Sequence, residues 1–138
     1  MKLKVETASF DSFVSALDAL SKTRLPISGI DAWRLAKTKR SVLLANESWW
    51  ETHERIAVDH GGTPSGKTIT GRPIHNIPAD RFDDYKVECR RVLDTEFDVE
   101  LESPLKFTEE QIGVLAKRLT PSDLEKLVGI IIDEQLQD

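Results

Sequence analysis

This sequence has almost nothing that could staple it covalently or anchor it in a bilayer. Its single cysteine, Cys89, excludes an internal disulfide and a thiolate zinc cluster, which suits a chain that folds in a reducing compartment. No uninterrupted apolar run exceeds five residues, against the roughly 20 needed to cross a bilayer. The first 20 residues hold no apolar signal core, so the expected setting is the cytoplasm, without a membrane partner. A cationic excess is missing too. The net charge is −5, whereas proteins that grip nucleic acid carry a basic surface for the phosphates, and nucleic acid is therefore not an expected partner.

What is present suffices for one fold. The chain has 138 residues, 39% of them apolar and 31% charged, which is the mixture of a folded globular domain. A chain of this size buries roughly two thirds of its unfolded surface, so residues 1–138 are expected to form a single domain. The charge is unevenly spread. Between Lys22 and Arg40 six bases face one acid, whereas from Asp94 onward twelve acids face four bases. Such asymmetry steers a partner or orders copies head to tail, although charge runs are most often solvated faces.

Periodicity gives an α+β reading that is mostly helical. "MKLKVE" alternates with Leu3 and Val5 on one side, so it suits a half-buried strand. Phe10, Phe13, Val14, Leu17 and Leu20 then fall at helical spacing, with Asp11 in the first turn. "TRLPISG" breaks that helix, and Ser28 or Asp31 can cap another that runs to His60 without proline or glycine. At 1.5 Å per residue this long central helix reaches about 45 Å. Trp33, Ala36, Leu43, Leu44, Trp50, Ala57 and Val58 trace a loose stripe along it, read either as a core face or as a protein-docking arm. Adjacent Trp49 and Trp50 cannot both lie on that stripe, so one is a lid over the core's edge or an exposed contact residue.

The next eighteen residues, "GGTPSGKTITGRPIHNIP", contain four glycines and three prolines and are expected to form a loop or loose hairpin, with "KTIT" as a short strand. Asp80 then caps a helix carrying Phe82, Tyr85, Cys89, Val92 and Leu93 on its apolar face, where Cys89 reads as a buried small residue. "TEFDVELE" alternates strictly, with Phe97, Val99 and Leu101 inward. Its acidic outer face matches Lys2 and Lys4, so it is expected to pair with the N-terminal strand in a small antiparallel sheet. Two capped helices close the chain, one from Thr108 with Gln111 and one from Ser122 with Glu125, the second winding through "GIIIDE".

Two motifs bear on chemistry. Gly61 to Thr68, "GGTPSGKT", matches the phosphate-loop pattern G-x-x-x-x-G-K-[ST] letter for letter. A working phosphate loop joins a buried strand to a helix so that backbone N–H groups converge on phosphate. Here a charged helical stretch precedes it, and Gly71, Pro73 and Pro78 follow within ten residues, so the context is wrong on both sides. Gly61, Gly62, Gly66 and Lys67 remain as a loop able to approach some anion. Residues 59–84 are similar to the His-Asn-His class of metal nucleases, in which a ββα unit places a general-base histidine on a strand and a metal ligand on the helix after it. That resemblance implies Asp59 and His60 at the start, Asn76 following and Asp84 on the helix, with a divalent metal centred on His60. The segment departs from the pattern: the third ligand is not histidine, no apolar strand precedes His60, and Pro73 and Pro78 crowd the hairpin. "HERIA" has Ala57 where a zinc-protease helix requires histidine, and His75 has no evident partner. No catalytic residue, metal or cofactor is therefore assigned.

Taken end to end, "ALDALSKTRLPISGIDAWRLAKTKRSV" followed by "RRVLDTEFDVELESP" and a short acidic-capped helix pair resembles the layout of small phage-encoded proteins of unassigned function. The resemblance implies a virion-assembly or host-interaction role exercised through protein contacts. The expected function is a non-catalytic interaction module that meets a protein partner or its own copies. Its contacts would come from Arg34, Lys37, Arg40, Trp49 and Trp50, or from the acidic sheet edge.

Overall fold

The computed structural model describes residues 1–9 and 11–137; Phe10, expected on the first helix, lies outside them. The order is β1 (Lys2–Lys4), α1 (Val5–Ser9), α2 (Asp11–Lys22), α3 (Gly29–Asp59), β2 (Thr63–Lys67), β3 (Pro73–Asn76), a 3-10 turn (Ala79–Arg81), α4 (Phe82–Leu93), β4 (Glu96–Asp98), α5 (Glu109–Arg118) and α6 (Pro121–Leu127). The fold is α+β, mostly helical, with small antiparallel sheets and one long helix, as the periodicity predicts.

β1 pairs antiparallel with β4, setting Lys2 opposite Asp98 and Lys4 opposite Glu96, so opposite charges face each other across the ladder as expected. Both strands are shorter than the alternation suggests. Val5 already starts α1 while its N–H donates to the Thr95 carbonyl at 2.8 Å. β4 has only the three residues of β1 opposite it, yet the inward set persists beyond the ladder, and Val99 and Leu101 are buried. α2 lies at the centre, packed on α3 and α6. Its Phe13, Ala16, Leu17 and Leu20 join Leu101, Phe107, Leu115 and Leu127 in one core.

α3 is a single 31-residue helix whose N-cap is Ser28, the hydroxyl accepting from the Asp31 N–H at 3.2 Å. The stripe it buries is not the expected one. Thr38, Val42, Asn46, Trp49, Ile56 and Ala57 face inward, and of the seven residues predicted only Ala57 is buried. Two members of the true stripe are polar, which is why apolar spacing misses it. Thr38 satisfies its hydroxyl on the Arg34 carbonyl at 2.9 Å, and Asn46 reaches the Asp11 carboxylate at 3.4 Å.

Three further expectations at helix ends need correction. α4 is entered through the 3-10 turn with Arg81 at its N-cap and no side-chain bond, so Asp80 is not its cap. α5 has the expected capping box between Thr108 and Gln111, but the last helix starts from Thr120, whose hydroxyl accepts from the Asp123 N–H at 3.1 Å. That places Pro121 in the first turn, where its missing N–H goes unneeded. α6 then stops at Leu127 instead of winding on. Gly129 takes φ 83, a left-handed conformation that ends helices. The β-branched run Ile130–Ile132 folds back as a tight turn, with the Gly129 N–H on the Ile132 carbonyl at 2.7 Å and the Leu105 N–H on the Ile131 carbonyl at 2.8 Å. Ile131 and Ile132 plug the core beneath α2.

Candidate functional site

The phosphate-loop lookalike is a helix stop followed by a hairpin. Gly61, at φ 78, turns the chain out of α3. Gly62 donates to the Ala57 carbonyl at 2.8 Å, and a Cβ there would lie 2.6 Å from that carbonyl oxygen. β2 and β3 pair antiparallel with a register shift between Pro64 and Gly66, and Lys67 faces Pro73. Gly61, Gly62, Gly66 and Lys67 are thus strung along a helix end and an exposed strand rather than gathered into a cradle. The end of α3 nearest them carries carbonyls, the pole that repels anions.

The hairpin-then-helix order that the nuclease resemblance implies is present, but its residues take other partners. His60 is the C-cap residue of α3, Asn76 is paired with Thr63, and Asp84 is exposed on α4. The carboxylate that reaches His60 belongs to Glu88, with Nε2 and Oε2 2.6 Å apart. Among the described residues no three His, Cys, Asp or Glu side chains are grouped so as to hold a metal ion.

Two turns earlier, His53 Nε2 lies 2.5 Å from the Tyr85 hydroxyl, enclosed by Trp49 and Trp50 at ring distances of 5.3 and 5.8 Å. Burial, aided by His75, lowers the His53 pKa; burial also pushes Tyr85 up to about 12 and the Cys89 thiol above its ordinary value. These groups form a neutral aromatic clamp between α3 and α4. A histidine whose folded-state pKa is depressed binds protons more readily when unfolded, so stability is full above the ordinary imidazole value of about 6.5 and falls as pH drops below it. The melting temperature is therefore expected to decline between about pH 7 and 5, and His53→Phe to flatten that decline. An unchanged slope in the variant would remove His53 as the cause. A second loss is expected under stronger acid, between about pH 4 and 2, because Lys22 and Lys39 hold the Asp18 carboxyl down at about 2.

The two tryptophans exchange the roles expected of them. Trp49 is 7% exposed and packs with Ile56 and Cys89, which withdraws it from any interaction surface. Trp50 is half-buried beneath the Arg72 guanidinium. Arg72 in turn holds Glu47 through two hydrogen bonds of 2.8 and 3.3 Å, fastening the hairpin to α3.

Of the basic residues, Arg34 pairs with Asp31 at 3.8 Å, and Lys37 pairs with Glu100 at 3.6 Å while lying 4.0 Å over the Trp33 ring. Arg40 lies exposed on the rim of a groove of about 720 Å³ between α2 and α3. Leu17, Leu20, Leu25, Ile27, Leu35 and Leu43 line its floor. Lys39 bridges the two helices to Asp18 at 2.7 Å. Leu44 also lines the groove and is 61% exposed, and toward the start of α3 Trp33 and Ile30 are 60% and 71% exposed. Sequence periodicity names Trp33, Leu43 and Leu44 but leaves open whether they face the core or a partner. Their mutual spacing was the available signal, and the polar members of the opposite face hid which way it pointed. Arg24 on the rim gives no sequence signal at all. Comparison of the chain with family models, with curated proteins and with solved structures finds no match in any of the three, so its role must be read from its own surface.

Proposed function

We propose that this domain is a non-catalytic binding module whose α2–α3 groove receives a segment of a protein partner. The observation that carries this reading is an apolar groove floor with large apolar side chains exposed on the same helix, Leu44 in the groove and Trp33 and Ile30 toward the start of α3. Contiguous exposed apolar surface with a polar rim marks an interaction site far more often than isolated exposed residues do. The long helix supplies a rigid wall for such a contact. Arg40 stands on the rim, while Arg34 and Lys37 stand farther along the same helix.

Selection from a yeast-displayed random peptide library on the immobilised domain tests the reading. Enriched sequences are expected to bind the parent and to lose binding to Leu44→Glu and Ala36→Glu. Both positions are exposed, so these variants should keep the parent's melting temperature. Failure to enrich any sequence, or enriched sequences that still bind both variants, would dispose of it.

A further inference from the structure

We infer that the occupant of the α2–α3 groove is an amphipathic α-helix with acidic flanks, a statement that rests on the protein-binding reading above. Shape decides the conformation. The walls are two helices and their connector, and helical backbone groups are already bonded within their own turns. In the connector the Thr23 carbonyl accepts from Arg118, and the Pro26 carbonyl accepts from Gln111 at 2.8 Å. Along the two helices, which form most of the walls, an extended segment would find no free backbone groups to bond, whereas a helix satisfies its own and needs only side-chain contacts. The groove runs along α3 from Ala32 to Glu47, about 22 Å of helix at 1.5 Å per residue, which suits an occupant of roughly four turns. A compact ligand filling the cavity would leave Ile30 and Trp33 in water; a helix laid along α3 covers them.

Charge decides the flanks. Of the three cations on the rim, Lys39 is committed to Asp18, while Arg24 and Arg40 make no ion pair among the described residues. The nearest rim acid, Glu47, is held by Arg72. Arg24 adds an independent mark. It holds φ 53 just beyond the end of α2, where glycine or asparagine is the usual choice, so the arginine there sits against backbone preference.

The test uses two fluorescein-labelled peptides of about 16 residues. Each carries leucine at i, i+4, i+7 and i+11 and alanine elsewhere; one has glutamate and the other lysine beside the leucine stripe. Anisotropy at low salt is expected to show the glutamate peptide binding at least about tenfold tighter, with the amide resonances of Leu43 and Leu44 shifting on titration. Arg24→Glu with Arg40→Glu should invert the preference. Arg24→Gly should weaken the glutamate peptide while leaving the melting temperature equal or higher, a split that a merely structural arginine would not give. Equal binding of the two peptides overturns the inference, as does an unaltered preference in the double variant or sedimentation of the free chain as a dimer that shields Leu43. If selected peptides of another pattern still bind through Leu44, the acidic helix falls and the protein-binding reading stands. If no peptide of any kind binds, both fall.

Discussion

Gly62→Ala is expected to lower the unfolding free energy by about 2–3 kcal/mol, a drop of roughly 10 °C in melting temperature for a chain of this size. The added methyl would lie 2.6 Å from the Ala57 carbonyl oxygen and 2.8 Å from Ile77 Cδ1. The carbonyl belongs to the last turn of α3 and already accepts the Gly62 N–H, so it cannot retreat without opening the helix end. Lys67→Ala, on an exposed strand, should change stability by less than about 0.5 kcal/mol. The pair discriminates between two meanings of the same eight letters. In a phosphate loop the second residue is free to vary and the lysine carries the function; in a helix stop followed by a hairpin, the second glycine carries the structure. Denaturant titration of both variants measures this, and a Gly62→Ala protein as stable as the parent would refute the close approach.

Wherever one residue type had one job, the architecture could be read from the sequence. The antiparallel pairing of Lys2–Lys4 with Glu96–Asp98 follows from alternation and opposite charge. The long helix follows from thirty residues without a breaker, and the start of α5 at Thr108 from its capping box. Reading fails where a residue does two things. Thr38 and Asn46 are polar by type but buried by position, because Thr38 bonds the Arg34 carbonyl one turn back and Asn46 reaches Asp11 on α2, and apolar spacing therefore misses the buried face of α3. That matters for the site, since the same spacing leaves open whether Trp33, Leu43 and Leu44 face the core or a partner. Trp49 and Trp50 were distinguishable only by which of them shares a face with Val42, Asn46 and Ile56. Arg40 was legible as a basic residue on an exposed helix, but the groove beside it depends on how α2 leans on α3, which no local pattern encodes. His60 and Glu88, 28 positions apart, meet only because the hairpin returns the chain to the end of α3.

The C-terminal turn offers the sharpest test of helix against plug, because the two readings predict effects of opposite sign at one residue. Ile131 is fully buried, and Ile131→Ala is expected to cost about 2–5 kcal/mol, the range for emptying a core site that cannot collapse. That result alone would not tell a plug from a helix, since a helix could bury the same side chain. Gly129→Ala does. Were α6 to continue through this point, alanine would stabilise it by about 1 kcal/mol through higher helix propensity. At φ 83 the same change forces a Cβ into left-handed backbone, and stability should fall by about 1–2 kcal/mol. The amides of Leu105, Ile131 and Asp133 should also exchange slowly, since their bonds to the Ile131, Leu127 and Leu105 carbonyls, each 2.8–2.9 Å long, tie the turn to the core. Because Ile131 shares one core with Leu17 and Leu20 of α2, which also line the groove, loosening the plug should free the wall that α2 lends to the groove. Ile131→Ala is therefore expected to weaken any ligand of the groove as well, without a single contact to it.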